Sequence, residues 1–120
     1  MASILVHVTT GPDNPTKAAL AFLVAKTALA EGHTVTLFLA GDAVHLFSES
    51  ALATVEGLGT GSLREHLDAI VATGGQFFLS GMSAKARGYD ESLLQDRNAA
   101  FAMPDTLVSL LVESDRALTY

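Results

Sequence analysis

Two hydroxyls and two cations fall in one short run, Ser80-Gly81-Met82-Ser83-Ala84-Lys85-Ala86-Arg87-Gly88. An apolar stretch, Phe77-Phe78-Leu79, leads directly into it. A strand that ends in small polar residues and opens a helix is where open α/β sheets hold their ligands. Backbone N–H groups at that point, with the Ser80 and Ser83 hydroxyls and Gly81 between them, could hold a small anion. Lys85 and Arg87 would add charge if their side chains folded back. The plainer account makes Ser80 a cap, gives Gly81 and Gly88 backbone duties, and leaves Lys85 and Arg87 solvated. A covalent role for Ser80 asks more, namely a base within hydrogen-bonding reach and a group to orient it. Leu79-Ser80-Gly81-Met82-Ser83 is not the G-x-S-x-G elbow, and no spacing ties His7, His33, His45 or His66 to Ser80.

The other connections offer less. Thr10-Gly11-Pro12-Asp13-Asn14-Pro15-Thr16 is rich in hydroxyl and amide groups, and Thr10 and Gly11 are candidate contacts for a ligand at the same sheet edge. Pro12 and Pro15 nevertheless remove two N–H donors from any phosphate loop, which weakens a flavin-binding reading in favour of a turn and a capped helix. Gly41 and Asp42 follow the second strand, and His45 just beyond them could overhang the edge that Ser80 occupies. Gly57-Leu58-Gly59-Thr60-Gly61 follows no predicted strand and so lacks the context of a dinucleotide fingerprint. The four histidines show no helix-borne ligand spacing and there is no thiolate, so no metal site is assigned. No cofactor is assigned either.

The elements that must position these residues alternate. Ser3 to Thr9 reads as a buried strand. Asn14 caps a helix with Pro15 at its first position, and Gly32 stops it after Glu31. Thr34 to Leu39 is a second strand, followed by a short helical segment from Ala43 to Phe47. Ser48 to Gly61 is the least regular stretch. Ser62 and Glu65 form a capping box ahead of a helix from Leu63 to Thr73. Gln76 to Leu79 is the third strand, and Ser80 to Arg87 reads as a turn. Asp90 starts a short helix reaching about Arg97, and Asn98 to Met103 is a weak fourth strand. Asp105 or Thr106 caps a helix through Glu113, and Arg116 to Tyr120 is the last strand. This order predicts an α/β fold, a three-layer α/β/α sandwich with a mainly parallel sheet of about five strands. The chain of 120 residues has room for one domain, spanning 1–120.

Bulk chemistry narrows the partners. A net charge of −6 and scattered basic residues argue against nucleic acid and anionic membrane surfaces. With no cysteine there is no disulfide, thiol redox chemistry or thiolate metal site, which fits a cytoplasmic location. Met1-Ala2-Ser3 lacks the basic start of a signal peptide, and the longest apolar run, Ala18 to Ala25, is too short to span a bilayer. A mean hydropathy of +0.36 in so small a chain points to surface covered by partners, hence a homo-oligomer. Ala18 to Ala25 is apolar at every position, so either alanine is tolerated on a wet helix face or another subunit covers it.

The ordered set of segments resembles the DsrE/DsrF-like family along nearly the whole chain. The resemblance rests on the opening strand with Thr10-Gly11-Pro12-Asp13, on Ala30-Glu31-Gly32-His33, and on Thr34–Leu39 with Ala40-Gly41-Asp42. It rests above all on Ser80 to Gly88, and ends with the Thr106-Leu107-Val108 helix and Arg116–Tyr120. It implies a helix–sheet–helix sandwich and a homo-oligomer, commonly a trimer or hexamer. It also implies that the residue matching Ser80 is, in many members, a cysteine that carries sulfane sulfur as a persulfide. Serine forms no persulfide, so sulfur carriage by this chain is not expected. What the resemblance leaves is a binding or assembly protein with a crevice around Ser80, Gly81 and Gly41 to His45 for a small anion or a partner's tail. A sulfur-relay protein using a partner's thiol, or an enzyme using Ser80 or a histidine, stands as the alternative.

Overall fold

The computed structural model describes all 120 residues. β1 (Ser3–Val8) runs into α1 (Pro15–Ala30), then β2 (Thr34–Leu39) and a 3₁₀ helix over Gly41–Phe47. α2 (Glu49–Thr54) and a two-stranded hairpin, β3 (Glu56–Gly57) and β4 (Gly61–Ser62), precede α3 (Leu63–Ala72). β5 (Gln76–Ser80), α4 (Gly81–Ala86), a 3₁₀ turn at Glu91–Leu93, β6 (Ala99–Ala102), α5 (Pro104–Glu113) and β7 (Arg116–Thr119) complete the chain. Five strands form one sheet in the order β6-β5-β2-β1-β7, and every pairing in it is parallel. The expected three-layer α/β sandwich is the observed one.

Local chemistry explains most boundaries. Asn14 accepts the Lys17 N–H to start α1, and Ser62 accepts the Glu65 N–H to start α3, as the capping residues predict. Gly32, at φ +90°, permits the chain reversal into β2.

Four expectations need correction. Ser48 to Gly61 is not irregular: Ser48 caps α2 by accepting the Ala51 N–H, and β3 and β4 pair antiparallel. Ser80 to Arg87 is not a turn but a short helix, α4. The helix from Asp90 stops at Leu93, because Gln95, Asp96 and Asn98 adopt left-handed φ values of 51°, 54° and 55°. Neither Asp105 nor Thr106 caps α5: the chain enters through extended Met103, with Pro104 at the first helical position and no side-chain cap.

The core lies between the sheet and α1, α3 and the 3₁₀ helix. Val6, Val8, Leu37, Leu39, Phe77 and Leu79 project from the sheet into it. Phe77 is its hub, with ring centroids 5.8 Å from Phe22 on α1 and 4.9 Å from Phe47 on the 3₁₀ helix. The apolar run of α1 is buried on one side by its own chain, while Leu20, Leu23 and Val24 stay half-buried. Ala18, Ala19, Ala21, Phe22 and Ala25 are buried, with α3 and the hairpin flanking the helix.

The opposite sheet face is dressed more thinly. A right-handed connection from β6 at one edge to β7 at the other places α5 there. Beneath it Leu5 and Phe38 are buried, yet no residue of α5 is. Val108, Leu111 and Val112, one stripe at helical spacing, stand exposed.

Candidate functional site

The carboxyl ends of the parallel strands bring most of the expected residues together. Ser80 ends β5 and caps α4, its Oγ accepting the Ser83 N–H at 3.1 Å. Ser83 Oγ in turn accepts the Gly41 N–H at 2.9 Å. From the far end of α4, Arg87 donates through Nη2 and Nε to Asp42 Oδ1 at 2.9 and 3.2 Å, and through Nη1 to the Ser83 carbonyl at 3.1 Å. These bonds lash α4 to the start of the 3₁₀ helix. Thr10-Gly11 packs on the same corner: a Cβ on Gly11 would lie 2.8 Å from both Cβ and the carbonyl oxygen of Asp42.

Gly81 is different. A Cβ there would meet only Phe101 and Ala102 at ordinary distances, 3.7 and 3.8 Å, so neither space nor φ demands a glycine. Gly88, at φ +82°, does serve backbone geometry. Lys85 does not fold back; it is exposed and makes no ion pair.

Ser80 is 9% exposed, and Ser83 N–H is its one hydrogen-bond partner. No histidine serves it as a base. His33 Nδ1 accepts the Ala2 N–H, and His66 Nε2 donates to the Thr60 carbonyl. His7 Nε2 is buried with no partner. A serine without a base stays a hydroxyl, because water-like acidity leaves essentially no alkoxide at neutral pH.

His45 does reach this end of the molecule, and it has a companion that the sequence did not reveal. Its Nδ1 shares a hydrogen bond of 2.6 Å with the Tyr89 hydroxyl, with the rings edge to face at 5.4 Å. Tyr89 follows α4, lies 44 positions from His45 and borders a cavity of about 200 Å³ with Phe47, Ser48, Glu49 and Leu93. Beside it Glu49 receives Arg64 and Arg97, each at 2.6 Å. Hydrogen bonding from Arg64 first, with lesser help from Arg97, holds the Glu49 carboxyl below its ordinary value. Arg97 also donates to the Phe47 carbonyl at 2.8 Å and lies over that ring. This cluster fixes the loop after α4 against the 3₁₀ helix.

An all-parallel open sheet with helices on both faces, and with its polar residues gathered at the carboxyl strand ends, defines a doubly wound α/β protein. The fold matches that of the crystal structure of the ychN protein from E. coli, at a TM-score of 0.83, 19% identity and full coverage of both chains. It also matches a conserved protein of unknown function, BT1422 from Bacteroides thetaiotaomicron. That match has a TM-score of 0.73 and 11% identity, covering 99% of this chain and 95% of that one. No curated protein matches the sequence. The family model for the DsrE/DsrF-like family matches residues 2–120, and the chain belongs to that family. Membership places it in a sulfur-relay-related family, and it does so without a cysteine. No helix is long and apolar enough to cross a membrane.

Proposed function

We propose that this chain is a non-catalytic member of its family that works by assembling with its own copies, Ser80 standing where relatives keep a sulfur-carrying cysteine. The observation that carries the reading is the Ser80 hydroxyl itself, which caps α4 by accepting the Ser83 N–H and has no base beside it. A capping hydroxyl contributes about 0.5–2 kcal/mol to the helix it starts, a structural use that needs no reactivity. Support for assembly comes from the exposed stripe of Val108, Leu111 and Val112. Met82 in α4 and Met103 just after β6 are also exposed, at 59% and 51%. Large apolar side chains left exposed in this way mark a contact region on a small domain. Sedimentation velocity at micromolar concentration tests it: a homo-oligomer is expected, and a monomer would overturn the reading.

A second reading rests on the gathering of small polar residues at one sheet edge, where Ser83 Oγ joins α4 to Gly41, with Lys85 exposed on the same short helix. In that reading the crevice formed by Thr10, Gly11, Gly41, Asp42, Ser80, Gly81 and Ser83, with His45 beside it, holds a small anion or a partner's acidic tail. Thermal midpoints recorded with sulfite, thiosulfate, phosphate and nucleotides test this directly. A rise with one of them that Lys85→Glu abolishes is expected; no rise with any removes the crevice from consideration.

A further inference from the structure

His7 is the penultimate residue of β1 and is half-buried, on the sheet face to which the β6–β7 crossover brings α5. Its register neighbours are Phe38 on β2 and Thr119 on β7, and its ring meets Phe38 edge-on with centroids 6.1 Å apart. Leu5 on the same face is 1% exposed and Phe38 2%, so the surroundings are apolar. Nε2 is buried there without a hydrogen-bond partner.

No charged side chain makes a hydrogen bond or ion pair with it. β2 carries none between Thr34 and Leu39. Arg116, the one ion on β7, is in register with Ile4 and therefore projects from the other face. α5 contributes only Asp105 and Glu113, both exposed, near its two ends. A neutral imidazole can leave a bare nitrogen in such a place at modest cost. An imidazolium would bury the Nε2–H with no acceptor on a ring that is only partly solvated, which costs more.

We propose that His7 is an acid-sensitive latch for α5: protonating its ring drives α5 off the sheet face that it covers. α5 is the element that yields, because none of its residues is buried and no side chain caps its start, whereas β1 is bonded on both sides. Burial of the ring holds its proton affinity below the ordinary value of 6.5. The sign follows from that direction. α5 is docked at full strength above pH 6.5 and loosens as pH falls from there through the lower folded-state value. The consequence for assembly through Val108, Leu111 and Val112 rests on the reading above; the latch itself does not.

Amide hydrogen exchange, corrected for intrinsic rates, tests this on the whole chain between about pH 7.5 and 5, with the histidine rings followed by NMR across the same range. Protection of Leu107 to Leu111 is expected to fall about tenfold or more while α1 keeps its protection. His7 is expected to titrate below 6.5, and His7→Phe to keep α5 protected throughout. Should His7→Phe fail to fold, His7→Asn, uncharged at every pH, replaces it. The latch is overturned if His7 titrates at or above 6.5, if α5 protection ignores pH, or if it falls equally in the variant. Sedimentation on the same samples separates the two ideas. A monomer at every pH whose α5 still loosens with acid supports the latch and removes assembly.

Discussion

Ser83 Oγ accepts the Gly41 N–H at 2.9 Å, joining the start of α4 to the exit of β2 across 42 positions of sequence. The bond fixes how the segment after β5 sits over the sheet edge. Ser83→Ala would leave a half-buried N–H without its partner, at a cost of about 1–3 kcal/mol. A lower urea midpoint with an unchanged slope is the expected result, since compactness is not altered.

Two glycines at this edge should respond oppositely to the same change. Gly11→Ala pushes a methyl to 2.8 Å from Asp42 backbone and side chain, so Asp42 must shift and its pairing with Arg87 must loosen. A loss of about 1–3 kcal/mol is expected, as for overpacking elsewhere. Gly81→Ala meets nothing closer than 3.7 Å and lies in a helix, so it should be neutral or stabilising by up to about 1 kcal/mol. Thermal midpoints of the two variants side by side check the contrast.

The exposed stripe on α5 separates assembly from folding. Leu111 is 54% exposed and Val112 78%, so Leu111→Glu and Val112→Glu should change the stability of the isolated fold by no more than about 0.5 kcal/mol. Each should nonetheless dissociate the assembly, because a charge would be buried without a partner at the contact. Light scattering beside circular dichroism reads both effects on one sample.

Acid should also untie the two ends of the chain. Asp115 Oδ2 accepts the Ser3 N–H at 2.9 Å and the Ser3 hydroxyl at 3.3 Å, while the Asp115 N–H donates back to the Ser3 carbonyl at 3.0 Å. The Ser3 backbone bond first, and its hydroxyl second, hold the Asp115 carboxyl below its ordinary 3.8. The lowered value means that the stabilisation is fully present above pH 3.8 and is lost as pH falls through the folded-state value. Asp115→Asn is therefore expected to flatten the acid limb of a stability profile below that pH, separately from the limb that His7 sets nearer neutrality.

Sequence carried the scaffold further than the site. β1 and β2 announced themselves as apolar, β-branched runs, and Asn14-Pro15 with Gly32 bounded α1 by local chemistry alone. Ser48 to Gly61 hid a helix and a hairpin because each is too short to show a period among glycines. α4 passed for a turn for the same reason. Ser80 as a cap was legible, since capping needs only the N–H three residues on. Tyr89 was not: only the folded chain carries its hydroxyl to His45, and no spacing in the sequence records that. The apolar run in α1 leaves open either a tolerated wet face or a covering subunit; the chain itself buries five of its residues, while α5 has none buried.

The central claim, that Ser80 is a cap and not a sulfur carrier, is tested most directly by intact-mass spectrometry after incubation with thiosulfate and a sulfurtransferase. The native chain is expected to keep its mass, while Ser80→Cys gains one sulfur that cyanide removes. A native chain that itself came back one sulfur heavier would contradict the account.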